Sequence, residues 1–227
     1  MISPNNEDVK LWLELSEGSG TTANDSSGEG NNGSINSASW VKVRDGGYAL
    51  SFDGSDDYVT LPTTSAVWRG VNTFSVNLWF KAPKDSTTGY IIHDWQWTTG
   101  HNASFFLSKE SSNDLRFGLT NDGYNTGAVL LLADESSWNA DEWNMVTTVE
   151  DNGSMKIYVN SILVNTATIT GNNSSPVQNV YYLGVYNTGS ALNNYFNGSL
   201  RLPITINKAL TAEEIKQLYQ QTYISEE

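Results

Sequence analysis

The amino-acid sequence predicts an all-β fold, a two-sheet antiparallel sandwich with one short C-terminal helix. Two observations predict the sandwich: short apolar runs of alternating polarity, and turn-forming residues roughly every eight to twelve positions. A third, one amphipathic pattern near the C-terminus, predicts the helix. A chain of 227 residues suits one such domain, and no linker or change in composition divides it. We therefore expect a single domain over residues 1–227.

The predicted strands are short runs rich in β-branched and aromatic residues. The clearest pair flanks Asn152-Gly153, a dipeptide that favours the tight turn of a β-hairpin. Trp143 and Tyr158 in these two strands are expected to be buried together. The predicted strands are residues 9–15, 48–52, 58–61, 74–80, 90–93, 105–107, 115–119, 128–132, 143–149, 155–159, 162–164, 180–184 and 200–206.

The single helix is predicted to begin at about Thr211. Thr211 and Glu214 form a capping box, in which each side chain binds a backbone N–H group at the start of the helix. Ile215, Leu218 and Tyr219 then repeat at helical spacing. We expect this apolar stripe to pack on one sheet.

Composition and charge exclude several classes of partner. The net charge of −13 repels DNA, RNA and anionic lipid, and no cluster of lysine or arginine provides an exception. No apolar window approaches the ~18 residues that span a membrane, so no membrane insertion is expected. The absence of cysteine excludes disulfides and thiolate metal sites. The N-terminal residues show no signal-peptide pattern, yet an extracellular or virion-surface location suits the remaining partners, which are neutral glycans and proteins.

Five sequence motifs follow one another along nearly the whole chain. They lie at residues 11–33, 49–59, 74–80, 143–164 and 196–215, and include ALSFDG at 49–54 and FSVNLWF at 74–80. In this order they resemble the laminin-G-like family, whose members have the concanavalin A-like jelly-roll fold. The resemblance implies a two-sheet antiparallel jelly-roll sandwich. The chain departs from the family pattern at Arg201-Leu202, where the family usually has Asp-Glu, and at the following Pro203.

The resemblance also raises the question of catalysis, because related glucanases place catalytic carboxylates at Glu-x-Asp spacing. This spacing occurs nowhere in the chain. The only histidines, His93 and His101, have no nucleophile elbow or further metal-ligand pattern near them. We therefore expect the protein not to be an enzyme.

Aromatic residues beside amides in turn-like segments are the candidate ligand contacts. Sugar rings stack on aromatic faces, while amides and carboxylates bind sugar hydroxyls. Trp95 and Trp97 could equally be core residues, because alternation would bury both on one face. Trp12 and Trp79 are expected in the core. The candidate ligand-binding residues are Asp94, Trp95, Trp97, Tyr124, Asn125, Tyr186, Asn187 and Tyr195.

No cofactor is required by the sequence, but a calcium ion is possible. Family members often hold calcium in the edge loops, and calcium prefers carboxylate and carbonyl oxygens. Asp25 and Asn31 lie in the matching loop, residues 16–36. Arg201, where the family has an acid, would repel the ion and pair with Asp25 instead. The full set of candidate metal ligands is Asp25, Asn31, Asp53, Asp56 and Asp57.

The leading hypothesis is a non-catalytic module for carbohydrate binding or adhesion, from a bacterial or viral surface protein. The alternative is a structural or protein-interaction domain of a virion or another assembly. Exposure of Trp95 and Trp97 would favour the first, since glycan recognition needs accessible ring faces.

Overall fold

The fold is described from a computed structural model, for residues 2–44, 46–96, 102–120, 128–170 and 180–223. The strands are β1 (Val9–Trp12), β2 (Thr22–Ala23), β3 (Gly33–Asn36), β4 (Ser39–Lys42), β5 (Tyr48–Asp53), β6 (Tyr58–Leu61), β7 (Thr73–Lys81), β8 (Gly89–Gln96), β9 (Asn102–Lys109), β10 (Leu115–Thr120), β11 (Ala128–Ala133), β12 (Asn144–Asp151), β13 (Ser154–Val159), β14 (Ile162–Thr168), β15 (Tyr181–Leu183), β16 (Tyr186–Asn187), β17 (Leu192–Asn193) and β18 (Asn197–Ile206). The helix is α1 (Ala212–Thr222), and short 3₁₀ turns cover Thr63–Ser65 and Glu135–Ser137.

Two large antiparallel sheets form the predicted jelly-roll sandwich. The first has the order β14-β13-β12-β7-β18-β5-β4, with β1 also pairing with β18. The second has the order β11-β10-β9-β8-β15-β6-β3-β2. A small hairpin, β16–β17, follows β15. The fold class predicted from the sequence is confirmed.

The main core lies between the sheets and follows from strand alternation. In β7, Phe74, Val76, Leu78 and Phe80 point between the sheets and are buried there. The intervening Trp79 belongs to a second apolar cluster on the other face of the first sheet. Both faces of β7 are therefore covered, which explains a nearly continuous apolar strand at the centre of the sheet.

The second cluster lies under α1. Ile215 and Leu218 of the helix are buried on the first sheet, and the indole N–H of Trp79 donates to the hydroxyl of Thr222 at 2.9 Å. The capping box of Thr211 is formed as predicted. Trp143 and Tyr158, predicted to be buried together, are also buried in this cluster. Within the described residues, no helix has the length and apolarity needed to cross a membrane.

The two tight turns of the β12–β13–β14 meander adopt left-handed backbone conformations. Asn152 and Gly153 have φ values of 49° and 95°, and Asn160 and Ser161 have values of 50° and 67°. Positive φ at both central residues matches the twist of adjacent strands. The predicted Asn-Gly hairpin is confirmed. Ser161 adopts the conformation that glycine usually takes.

A bulge in β18 accommodates the residues that depart from the family pattern. The pairing of β18 with β7 shifts between Arg201 and Ile204, and Leu202 has a φ of 52°. Pro203 has no N–H to donate, but its carbonyl accepts from the Leu13 N–H at 3.1 Å. The bulge therefore lets β18 pair with β1 beyond the proline.

The edge strands β11 and β14 approach each other on one side of the sandwich, and Asn165 of β14 bridges them. Its Nδ2 donates to the carbonyl of Leu132 in β11 at 2.9 Å. Its Oδ1 accepts from the backbone N–H of Thr166 at 2.8 Å. One amide side chain thus occupies hydrogen-bonding groups at the margins of both sheets.

Candidate functional site

Asp25, a candidate metal ligand, is held by hydrogen bonds from its own loop and from β1. Its Oδ1 accepts from the backbone N–H groups of Trp12 and Ser27, both at 3.0 Å. Its Oδ2 accepts from the Ser27 hydroxyl at 2.7 Å and the Asn31 N–H at 2.8 Å. Burial raises the pKa of Asp25, but these hydrogen bonds outweigh it and lower the pKa below its ordinary value.

The amide of Asn31 is likewise bound within the protein. Its Nδ2 donates to the Lys10 carbonyl at 2.7 Å, and its Oδ1 accepts from the Thr64 hydroxyl. Asp25 therefore needs neither calcium nor an ion pair with Arg201 to be ordered. Arg201 lines a groove on the helix-covered face of the first sheet.

The other candidate metal ligands, Asp53, Asp56 and Asp57, do come together. One carboxylate oxygen from each lies within 4.8 Å of the others, and we call these three residues the acidic triad. Asp57 is buried and accepts from the Asp53 N–H at 2.8 Å. Burial first, and then the negative charges of Asp53 and Asp56, raise the pKa of Asp57. These three oxygens would supply part of the six to eight that a calcium ion takes.

A groove of about 340 Å³ adjoins the acidic triad. We call it the amide groove, because three of its nine lining residues are asparagines. It contains Tyr195, a predicted ligand contact, beside Asp53, a predicted metal ligand. Its lining consists of Asp53, Gly54, Thr87, Thr88, Leu192, Asn193, Asn194, Tyr195 and Asn197.

A buried lysine fixes the Thr87 side of the amide groove. The ammonium group of Lys109, which is 1% exposed, donates to Asp85 Oδ1 at 2.8 Å and to the Thr87 carbonyl at 2.9 Å. Asp85 also accepts from the Asn197 amide at 3.3 Å. Burial raises the pKa of Asp85, but the bonds from Lys109 and Thr87 lower it to about 2. These contacts fix the positions of Thr87 and Asn197, which line the groove.

The β16–β17 hairpin lies over the outer face of the second sheet, and its strand β17 borders the amide groove. Tyr186 stacks on Tyr90, with ring centroids 4.7 Å apart, and meets the ring of His93 edge-on at 4.6 Å. His93 is buried and neither of its ring nitrogens has a hydrogen-bond partner. Burial lowers the pKa of His93 well below its ordinary value, so the ring is neutral. Tyr186 therefore serves as the anchor of the hairpin.

Sequence reasoning missed two tyrosines between the hairpin and the acidic triad. Tyr58 and Tyr182 form an edge-to-face pair with centroids 6.0 Å apart, and both are half-buried. The Tyr182 hydroxyl accepts from Asn187 Nδ2 at 2.9 Å. Tyr58 directly follows Asp57 of the acidic triad in the chain, and Leu192 of the amide groove pairs with Asn187 across the β16–β17 hairpin. The predicted residues Tyr195, Asp56 and Asn187 thus belong to one surface, joined by the two missed tyrosines.

The remaining predicted ligand contacts do not join this surface. Asp94 is 2% exposed, and its carboxylate accepts from the Trp68 indole at 2.6 Å and from Arg69 at 2.7 and 2.9 Å. It holds the interior together, so we exclude it from the site. The backbone of Trp95 lies in β8, but its side chain is outside the described part of the structure. Trp97, Tyr124 and Asn125 lie outside the described residues.

A larger groove, of about 400 Å³, lies on the helix side of the first sheet. Trp12, Trp79, Arg201 and Tyr223 are among its lining residues. It contains none of the predicted ligand or metal residues. The amide groove, where two independent predictions meet, is therefore the better candidate site.

The family model of the concanavalin A-like lectin/glucanases superfamily matches residues 53–216. The chain belongs to this superfamily. The match includes the acidic triad, the amide groove and Tyr182. No curated protein matches the chain.

Solved structures with a similar fold include the receptor-binding domain of a botulinum neurotoxin C/D mosaic serotype, with a TM-score of 0.73 and 16% identity over 95% of this chain and 52% of that one. The binding domain of Paraclostridial Mosquitocidal Protein 1 has a TM-score of 0.73 and 11% identity over 95% and 52%. Botulinum neurotoxin type C, whose cell entry depends on interaction with two ganglioside molecules, has a TM-score of 0.71 and 18% identity over 96% and 52%. The chain spans about half the length of these structures, and the likeness shows the fold.

Proposed function

We propose that this chain is a non-catalytic module that binds an uncharged glycan in the amide groove. The observation that carries the proposal is the lining of the groove. Asn193, Asn194 and Asn197 offer amide donors and acceptors for sugar hydroxyls, and Tyr195 offers a ring. A few directional polar groups beside apolar surface are typical of small-molecule sites.

The charge around the groove favours an uncharged ligand. Asp53 lines the groove itself, and Asp56 and Asp57 lie beside it. A carboxylated sugar, such as a sialic acid, would be repelled by these side chains. Adhesion to a glycan-bearing surface, outside a cell or on a virion, is the role that such a module would serve. Its similarity to toxin binding domains supports that role by analogy of fold.

An immobilised panel of uncharged and sialylated glycans tests the proposal. We expect binding to uncharged glycans, weakened about fivefold by Tyr195→Ala or Asn193→Ala, since one lost contact is worth about 1 kcal/mol. Tyr223→Ala is the matched control, because Tyr223 is 58% exposed and lies on the helix side of the molecule. Binding to sialylated glycans alone, or equal binding by the groove variants and the parent, would reject the proposal.

A structural role in an assembly is the second candidate. Ile162 and Leu163, at the β13–β14 turn, are 69% and 47% exposed, which is unusual for large aliphatic side chains. If they mediate assembly, sedimentation at rising concentration will show oligomers that Ile162→Ser removes. A monomer at all concentrations would leave this candidate without support.

A further inference from the structure

We propose that the amide groove holds one end of an extended glycan, and that Tyr58 and Tyr182 carry its following sugar rings across the outer face of the second sheet. The proposal rests on the glycan-binding function proposed for the groove. It adds a second subsite and a ligand class: a linear, uncharged oligosaccharide bound along several consecutive sugars.

Strand alternation places both tyrosines on the outer face. In β6, Val59 and Leu61 are buried between the sheets, so Tyr58 points outward. In β15, Tyr181 and Leu183 are buried in the same core, so Tyr182 points outward as well. β6 and β15 are neighbours, which brings the two rings to 6.0 Å at an angle of 64°.

The tyrosine pair is continuous with the amide groove. Tyr195 lines the groove. Leu192, another lining residue, pairs with Asn187 across the β16–β17 hairpin, and the Asn187 amide donates to the Tyr182 hydroxyl at 2.9 Å. A ligand that leaves the groove along this hairpin therefore reaches Tyr182 and its ring partner Tyr58.

The far end of this path is built from fixed parts. The Tyr182 hydroxyl is held by Asn187, whose Oδ1 accepts from the Gly189 N–H at 2.7 Å. The hairpin that carries Asn187 is docked on the sheet through Tyr186 and Tyr90. A surface ordered before binding loses less conformational entropy when the ligand arrives.

The chemistry of the path matches a chain of sugars. Ring faces alternate with hydroxyl and amide groups, and sugars present apolar C–H faces edged by hydroxyls. Tyrosine combines a large contact area with little rotamer entropy to lose and a polar tip. A ligand confined to the groove would make no use of Tyr58 or Tyr182.

A length series of uncharged oligosaccharides tests the inference. The probes are α-1,4-glucose, β-1,4-glucose and β-1,4-N-acetylglucosamine oligomers of two to six sugars, measured by calorimetry or tryptophan fluorescence. For a series that binds, we expect the affinity to rise about tenfold or more with length and then level off. Tyr58→Ala and Tyr182→Ala should abolish this rise while leaving the affinity for the shortest oligomer unchanged. Tyr195→Ala should weaken binding at every length.

Two further variants separate recognition from folding. Tyr182→Leu keeps the apolar bulk but removes the ring, and should also lose the length dependence; Tyr182→Phe keeps the ring and should retain it. Affinity that is independent of length, or unchanged by Tyr58→Ala and Tyr182→Ala while Tyr195→Ala still weakens binding, would overturn the extended subsite and leave the groove standing. Failure of every oligomer and panel glycan to bind would overturn the groove as well.

Discussion

Two aspartate-bearing segments of the same fold use their carboxylates in opposite ways. The loop at residues 16–36 and strand β1 together surround Asp25 with three backbone N–H groups and a hydroxyl. The turn at residues 53–57 instead brings three carboxylates within 4.8 Å of one another. Hydrogen bonding stabilises the charged form of the first carboxylate, whereas burial and like charge disfavour it in Asp57. The surroundings of an aspartate in a turn can therefore stabilise or destabilise its charged form, depending on the donors and charges near it.

The largest expected difference between the two segments is in stability. Asp25→Ala leaves several backbone donors unpaired and should lower the free energy of unfolding by about 2–3 kcal/mol. Asp56→Ala removes an exposed member of the acidic triad and should change it by less than about 0.5 kcal/mol. Urea denaturation of both variants measures this contrast. Equal losses in free energy of unfolding would show that the acidic triad also stabilises the fold.

The second expected difference is the sign of the pH dependence. The pKa of Asp25 is lowered, so its contribution is full above its ordinary value of 3.8 and is lost as the pH falls through the folded-state pKa. The pKa of Asp57 is raised, so the folded state gains stability as the pH falls toward 3.8. Between pH 7 and 2.5, the loss of unfolding free energy with falling pH should therefore be smaller in Asp25→Asn than in the parent protein. In Asp57→Asn this loss should be larger than in the parent protein. Parallel curves for the two variants would contradict these assignments.

His93 supplies a separate test at higher pH. Its pKa is lowered well below 6.5 by burial, so protonation of the unfolded chain should reduce stability as the pH falls below 6.5. His93→Phe should reduce this slope between pH 7 and 5. The difference between variant and parent isolates the histidine from Glu150, whose pKa is raised by burial. An unchanged slope would mean that His93 is protonated in the folded state.

The smallest expected effect concerns calcium. Asp25 and Asn31 already have protein partners, and the acidic triad brings together one oxygen from each of three carboxylates where calcium takes six to eight ligands. Millimolar calcium chloride or excess EDTA should therefore leave the melting temperature unchanged. An occupied site would add about 2.7 kcal/mol at 100 times the dissociation constant, which is easily detected. A rise of several degrees, reversed by EDTA and absent in Asp56→Ala, would instead assign a cation to the acidic triad.

Features set by neighbouring residues could be predicted from the sequence, and features set by distant contacts could not. The capping box of Thr211 and the Asn152-Gly153 turn depend on residues within a few positions of one another, and both are confirmed. The prediction of Asp94 as a ligand contact shows the second case. Its partners, Trp68 and Arg69, lie 26 and 25 positions away, so nothing in the neighbouring sequence reveals them.

In the candidate site, too, local features could be predicted from the sequence and long-range contacts could not. Tyr195 and the acidic triad could be proposed from their turn-like surroundings, although separately. Tyr58 and Tyr182 could be placed on strands, but alternation gives only the face of a residue relative to its own strand. Their meeting depends on the pairing of β6 with β15, which joins segments more than a hundred residues apart.

Asn165 affects how readily a second chain could pair with the edge strands of the sandwich. Open strand edges are templates on which a second chain can add a strand, and a sandwich presents such edges wherever its sheets end. Here one amide engages a carbonyl on β11 and an N–H on β14, so both margins are blunted at the same point. A second chain is therefore less able to add a strand at this point of either sheet.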